Sequence, residues 1–152
     1  MEVSVKLKWS KGLRFRAEAP QGRTIELNSA EEMGRAFTPM ELFLVSIAGC
    51  TAMDVMWILK RQRQRIERFE ISAGGARRDE DPKYYETIDL EYRLVGREIK
   101  ESAVVRAIHL SQEKYCSVRA MIRDSVKVNI TYRIANRGEE EKKFVYATTS
   151  NP

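Results

Sequence analysis

The chain begins with alternation. Val3, Val5, Leu7 and Trp9 fall on one face of a period-two pattern, and "SKG", "LRFRAEA", "PQG" and "RTIELN" follow in order. Apolar positions two apart, broken by Gly- and Pro-containing turns, predict a three-stranded meander over residues 1–28. The period then changes. Past the polar connection "SAEEMGRAF", Thr38 followed by Pro39, with Glu41 three positions beyond the threonine, reads as a capping box with proline at the first helical position. It predicts a helix over 38–64 whose stretch Leu42 to Leu59 is apolar nearly all round, and hence buried on most sides.

Alternation returns in "RFEISAGGARRDED" and "ETIDLEYRLVG", a hairpin joined by a polar loop around Asp79 to Lys83. Ile99, Ala103, Val104, Ala107, Ile108 and Leu110 recur at helical spacing and predict a second long helix over 98–115. "SVRAMIRDS" follows as a short helix and "VKVNITYRI" as a strand. The remainder, "NRGEEEKKFVYATTSNP", reads as a charged tail over 136–152, mobile or docked on a partner. The order βββ-α-ββ-α-α-β describes one α+β domain over 1–135, with two long helices on an antiparallel sheet. A meander of this size cannot hide its own apolar face, so exchange with a second subunit is expected.

Composition narrows the function classes. With 152 residues and 43% hydrophobic content the chain suits one domain with an adequate core. Its 27 Lys+Arg against 22 Asp+Glu give +5, too modest a balance to argue for nucleic acid, and "KRQRQRIER" reads as a solvated helix end. No membrane span is expected from 42–59, because Ser46, Gly49, Thr51 and Asp54 interrupt it. "MEVSVKLKWSKG" interleaves charge where a signal peptide needs an apolar stretch, so a reduced, cytoplasmic protein is expected.

Chemistry centres on the two cysteines, 66 positions apart (116 − 50). Cys50 lies amid Ser46, Ala48, Gly49, Thr51 and Ala52 and by itself reads as a buried core residue. Cys116 stands beside Ser117, a candidate helix cap, with Lys114 and Arg119 near, and on local chemistry it is the more activated thiol. Neither a metal nor any other cofactor is expected: there is no CxxC, and the single histidine, His109, is seven residues (116 − 109) from the nearest cysteine. A G-x-S-x-G elbow is absent, and "SAGGARR" lacks phosphate-loop spacing.

"TPMELFLVSIAGCTAMDV" together with "LSQEKYCSVRAMI" resembles the paired signature of the OsmC/Ohr family, the osmotically inducible and organic-hydroperoxide-resistance proteins, over roughly Trp9 to Ile134. The resemblance implies an intertwined homodimer with both cysteines between its central helices. It makes Cys50 the peroxidatic thiol and Cys116 the resolving one, reverses the local ranking, and implies an organic hydroperoxide as substrate with an external dithiol as reductant. It also implies an activating arginine from the partner's N-terminal strands, Arg16 or else Arg14, with Arg23 on the same strands. In the family a glutamate directly after the helix-opening proline holds that arginine. Here Met40 takes that place and Glu41 comes one residue later, about 100° round the helix. Glu41, Asp54 or a backbone carbonyl is then expected to hold the guanidinium. Leu42, Phe43, Ile47 and Met53 are the candidate apolar lining of the substrate pocket. The alternative is a non-catalytic protein of this fold that binds a small apolar ligand in the inter-subunit cleft.

Overall fold

The computed structural model describes residues 1–29 and 34–149, so part of the polar connection after the meander and the end of the expected tail lie outside the described residues. The chain separates into two compact units, Met1–Phe43 and Leu44–Pro152.

In the first unit the meander forms as expected: β1 (Lys6–Lys11), β2 (Arg14–Ala19) and β3 (Arg23–Leu27) pair antiparallel in that order. Gly12, at φ 53°, makes the first turn, and the Trp9 indole N–H donates to its carbonyl at 2.8 Å. Val5, Leu7 and Trp9 remain 66%, 53% and 66% exposed, so within the first unit their face is open among the described residues. The capping box also forms. The Thr38 amide and hydroxyl donate to the Glu41 carboxylate at 2.7 and 2.9 Å, and the Glu41 amide donates back to the hydroxyl at 3.2 Å. These bonds, the backbone one foremost, hold Glu41 below the usual carboxylate range. They open α1 (Pro39–Arg61), which runs on into the second unit.

The second unit is a four-stranded sheet with helices: β4 (Arg65–Arg77), β5 (Tyr85–Arg97), α2 (Glu101–Leu110), a π-helical turn (Ser111–Tyr115), α3 (Ser117–Ala120), β6 (Lys127–Asn136) and β7 (Lys142–Thr149), with the strands ordered β4-β5-β6-β7. Two corrections follow. The sheet is antiparallel at β4–β5 and β6–β7 but parallel at β5–β6, because the helical segment returns the chain to the end where β5 began. The segment read as a tail instead turns at Gly138 (φ 81°) and adds β7 to the sheet. Phe144 stacks on Tyr132 with ring centroids 5.0 Å apart, while Glu141 and Lys143 pair with Arg93 and Glu91. The run of glutamates and lysines masked a strand too short to show its period.

Alternation decides which face is inward. Ile88, Leu90, Tyr92 and Leu94 of β5 and Val128, Ile130, Tyr132 and Ile134 of β6 are buried in register. The core also holds Ile47, Thr51, Val55, Ile58 and Leu59 of α1 and Ala103, Val104, Ala107 and Ile108 of α2. α1 is long and apolar enough to cross a membrane, but this buried stripe makes it a core helix of the second unit. On its other side Val45, Met53 and Trp57 are 50%, 74% and 52% exposed, Trp57 in edge contact with Tyr115.

At Gly96 the β4–β5 ladder tolerates no side chain, since an added Cβ would stand 2.0 Å from the Arg65 carbonyl oxygen. Gly96→Ala is expected to cost about 1–3 kcal/mol, read as a lower urea midpoint. Gly74→Ala, on the same hairpin with open space around it, should lie close to wild type.

Candidate functional site

A buried hydroxyl chain fixes the geometry around the cysteines. Thr51, fully buried on α1, places its Oγ1 2.6 Å from the Tyr92 hydroxyl of β5 and 2.8 Å from the Ser111 hydroxyl in the π turn. Ser111 in turn donates to the Asp54 carboxylate at 3.0 Å. A hydroxyl has one proton to give, so this last bond orients the rest: Tyr92 donates to Thr51, Thr51 to Ser111 and Ser111 to Asp54. The Gln112 amide joins at 3.2 Å from Thr51 and 3.3 Å from Tyr92. Burial pushes the Tyr92 phenol well above its ordinary value, which keeps it a donor.

On this floor the two thiols meet. Cys50 is half-buried on α1, next to Thr51. Cys116 arrives through the π turn, whose Cys116 amide donates to the Ser111 carbonyl at 2.8 Å before the backbone leaves helical geometry. Such single-turn π segments recur at functional sites. The sulfurs of Cys50 and Cys116 and a carboxylate oxygen of Asp54 all lie within 4.8 Å of one another, and both cysteines are free thiols.

The structure overturns the local reading of Cys116. The cap of α3 is Cys116 itself, not Ser117: its sulfur accepts the Arg119 amide at 3.4 Å. Yet Cys116 is only 3% exposed, and burial, followed by contact with Cys50, pushes its thiol up to about 11. Desolvation outweighs the single amide donor, so Cys116 is protonated at neutral pH. Lys114 lies over the Tyr115 ring, with its ammonium 5.5 Å from the centroid.

The remaining candidates divide by unit. Arg14 and Arg16 stand on β2 of the first unit, and Arg16 pairs with Glu26 across the β2–β3 ladder at 2.6 Å. That pair supplies a carboxylate where Glu41 or Asp54 was expected to: Glu41 is engaged in the helix cap and Asp54 accepts from Ser111. Among the apolar candidates, Ile47 is fully buried, Leu42 half-buried, and Phe43 and Met53 are 36% and 74% exposed. Asp54 stands closer to the chemistry than the sequence reading placed it. The signal was its i,i+4 spacing from Cys50, which puts both side chains on one helix face.

Comparison with known proteins agrees with this picture. A family model described as OsmC-like protein matches residues 32–131. Protein YhfA of Escherichia coli K12 is 36% identical over 132 residues, spanning 87% of this chain and 98% of YhfA. The crystal structure of a hypothetical protein from Aquifex aeolicus is 36% identical and superposes with a TM-score of 0.81 over 92% of this chain and 99% of that one. An organic hydroperoxide resistance protein OsmC from Legionella pneumophila shares the fold at 16% identity, with a TM-score of 0.65 over 89% and 97% of the two chains.

Two outcomes are expected of the site itself. Thr51→Val keeps the shape but leaves Tyr92 and Ser111 without their shared partner, and should cost about 1–3 kcal/mol in chemical denaturation. The raised Cys116 thiol means that the folded state binds its proton more tightly than the unfolded state does. Its contribution to stability is therefore whole below the unfolded thiol value near 8.5 and is lost as pH rises toward 11. The stability difference between wild type and Cys116→Ala should shrink over that window. A difference that grows with pH would show a thiolate stabilised by folding.

Proposed function

This chain belongs to the OsmC-like protein family, and within that family we propose that it is a thiol-dependent peroxidase reducing organic hydroperoxides through Cys50 and Cys116. The observation that carries the proposal is the convergence of the two thiols, 66 positions apart in sequence (116 − 50), within 4.8 Å beside Asp54. The Legionella protein's description as an organic hydroperoxide resistance protein points the same way.

The reaction divides the work unequally. The Cys50 thiolate attacks the distal oxygen of ROOH, forming an S–O bond as the O–O bond breaks, and the departing alkoxide takes a proton to leave as the alcohol. Cys116 then attacks the sulfenic sulfur, a disulfide forms and water departs. For this step Cys116 must lose a proton it holds tightly, and the proposed acceptor is Asp54, whose carboxylate oxygen lies within 4.8 Å of the sulfur. An external dithiol returns both sulfurs to thiols by exchange, a cycle suited to the reducing cytoplasm.

The Cys50 thiolate calls for a cation, and the proposed one is Arg16 of a second copy's meander, oriented by Glu26, with Arg14 next in order. Two uncovered apolar surfaces support a homodimer: the meander face bearing Leu7 and Trp9, and the α1 stripe of Val45, Met53 and Trp57. On this reading Met53, Phe43 and Leu42 offer apolar surface to the hydroperoxide's organic group.

The test is consumption of cumene hydroperoxide with a dithiol reductant. Cys50→Ser should abolish turnover. Cys116→Ser should leave a sulfenic acid that dimedone traps, with no intramolecular disulfide. Arg16→Ala should lower kcat/KM by about 100-fold, and Glu26→Gln should weaken the same step less. A wild-type protein without dithiol-dependent turnover would return the chain to the ligand-binding alternative, for which Met40 in place of the family's glutamate is the supporting feature.

A further inference from the structure

We propose that Cys50, Asp54 and Cys116 form a binding site for a soft divalent cation of the zinc class, with the fourth coordination position open. Two sulfurs and a carboxylate oxygen already stand within 4.8 Å of one another. Zinc takes sulfur at about 2.3 Å and carboxylate oxygen at about 2.0–2.2 Å, so donors around a tetrahedral ion sit about 3.5–3.8 Å apart. The present spacing exceeds that by at most about 1 Å, a gap of side-chain size.

Three features beyond proximity argue for a site. The donor set is selective: two thiol sulfurs disfavour magnesium and calcium and suit zinc or copper(I), while the carboxylate favours a divalent ion. The donors come from rigid elements, Cys50 and Asp54 from one face of α1 at i and i+4, and Cys116 from the residue that caps α3. Each of two donors is also oriented from outside. Ser111 donates to the Asp54 carboxylate at 3.0 Å, and the Arg119 amide donates to the Cys116 sulfur at 3.4 Å, the outer arrangement that aims and tunes metal ligands. Three protein donors leave a position for water or an exogenous thiol, as in exchangeable rather than structural zinc sites.

The site makes metal and disulfide mutually exclusive, since a disulfide withdraws two of the three donors. It requires reduced thiols but no peroxide turnover, so the two readings stand or fall separately.

Full-length protein, reduced with a phosphine under nitrogen and titrated with Co²⁺, should develop sulfur-to-cobalt charge-transfer absorption that saturates at one ion per chain and is lost on adding Zn²⁺. Cys50→Ser and Cys116→Ser should each roughly halve the charge-transfer intensity per bound cobalt. Asp54→Asn, which retains an oxygen to accept from Ser111, should keep the charge transfer while weakening Co²⁺ binding at least about tenfold. Wild type oxidised to the disulfide should not bind. The proposal is overturned if reduced wild type shows no charge transfer, if Asp54→Asn binds as tightly as wild type, or if the oxidised protein binds equally well.

Discussion

The hydrogen bond from Thr51 to Ser111 is the join on which the site depends. It lies in the core where α1, β5 and the π turn meet, and it lets three buried hydroxyls discharge in one direction into a carboxylate. With the Ser111–Asp54 and Gln112–Thr51 bonds it ties the π turn, and so the segment that delivers Cys116, to the helix that carries Cys50. The same bond explains why so apolar a helix carries a threonine and an aspartate one turn apart. Both are used inward, where an unpaired polar group is costly.

Much of this fold was legible in the sequence, because it rests on periods. The meander, the capping box at Thr38 and Glu41, the hairpin and α2 each repeat a pattern long enough to identify. What failed did so for lack of length or locality. In β7 only Phe144 and Tyr146 mark an inward face, and lysines and glutamates that pair on the strand's other side looked like a solvated tail. The parallel β5–β6 pair depends on where a helical crossover delivers the chain, which no window within β6 records. The division near Phe43 was hidden by a helix whose pattern continues unbroken through it.

The site was legible in its residues and not in its electrostatics. Sequence neighbours made Cys116 look activated, because Lys114 and Arg119 flank it. In space Lys114 lies over Tyr115 and Arg119 contributes a backbone amide. Asp54 shows the converse. Within an apolar run it read as an interruption, and its value lies in a partner sulfur 62 positions away (116 − 54).

The three groups also constrain one another's charge. Cys50, Cys116 and Asp54 share a small volume closed on one side by buried hydroxyls, so the pocket resists holding three negative charges at once. Asp54 receives the donated end of the hydroxyl chain. Burial raises the Cys116 thiol, so Cys116 keeps its proton at neutral pH. A cation relieves the same crowding of charge. Whether it comes as a guanidinium at the thiolate or as a metal ion among the three donors decides whether the pair stays available to a hydroperoxide or is closed to it.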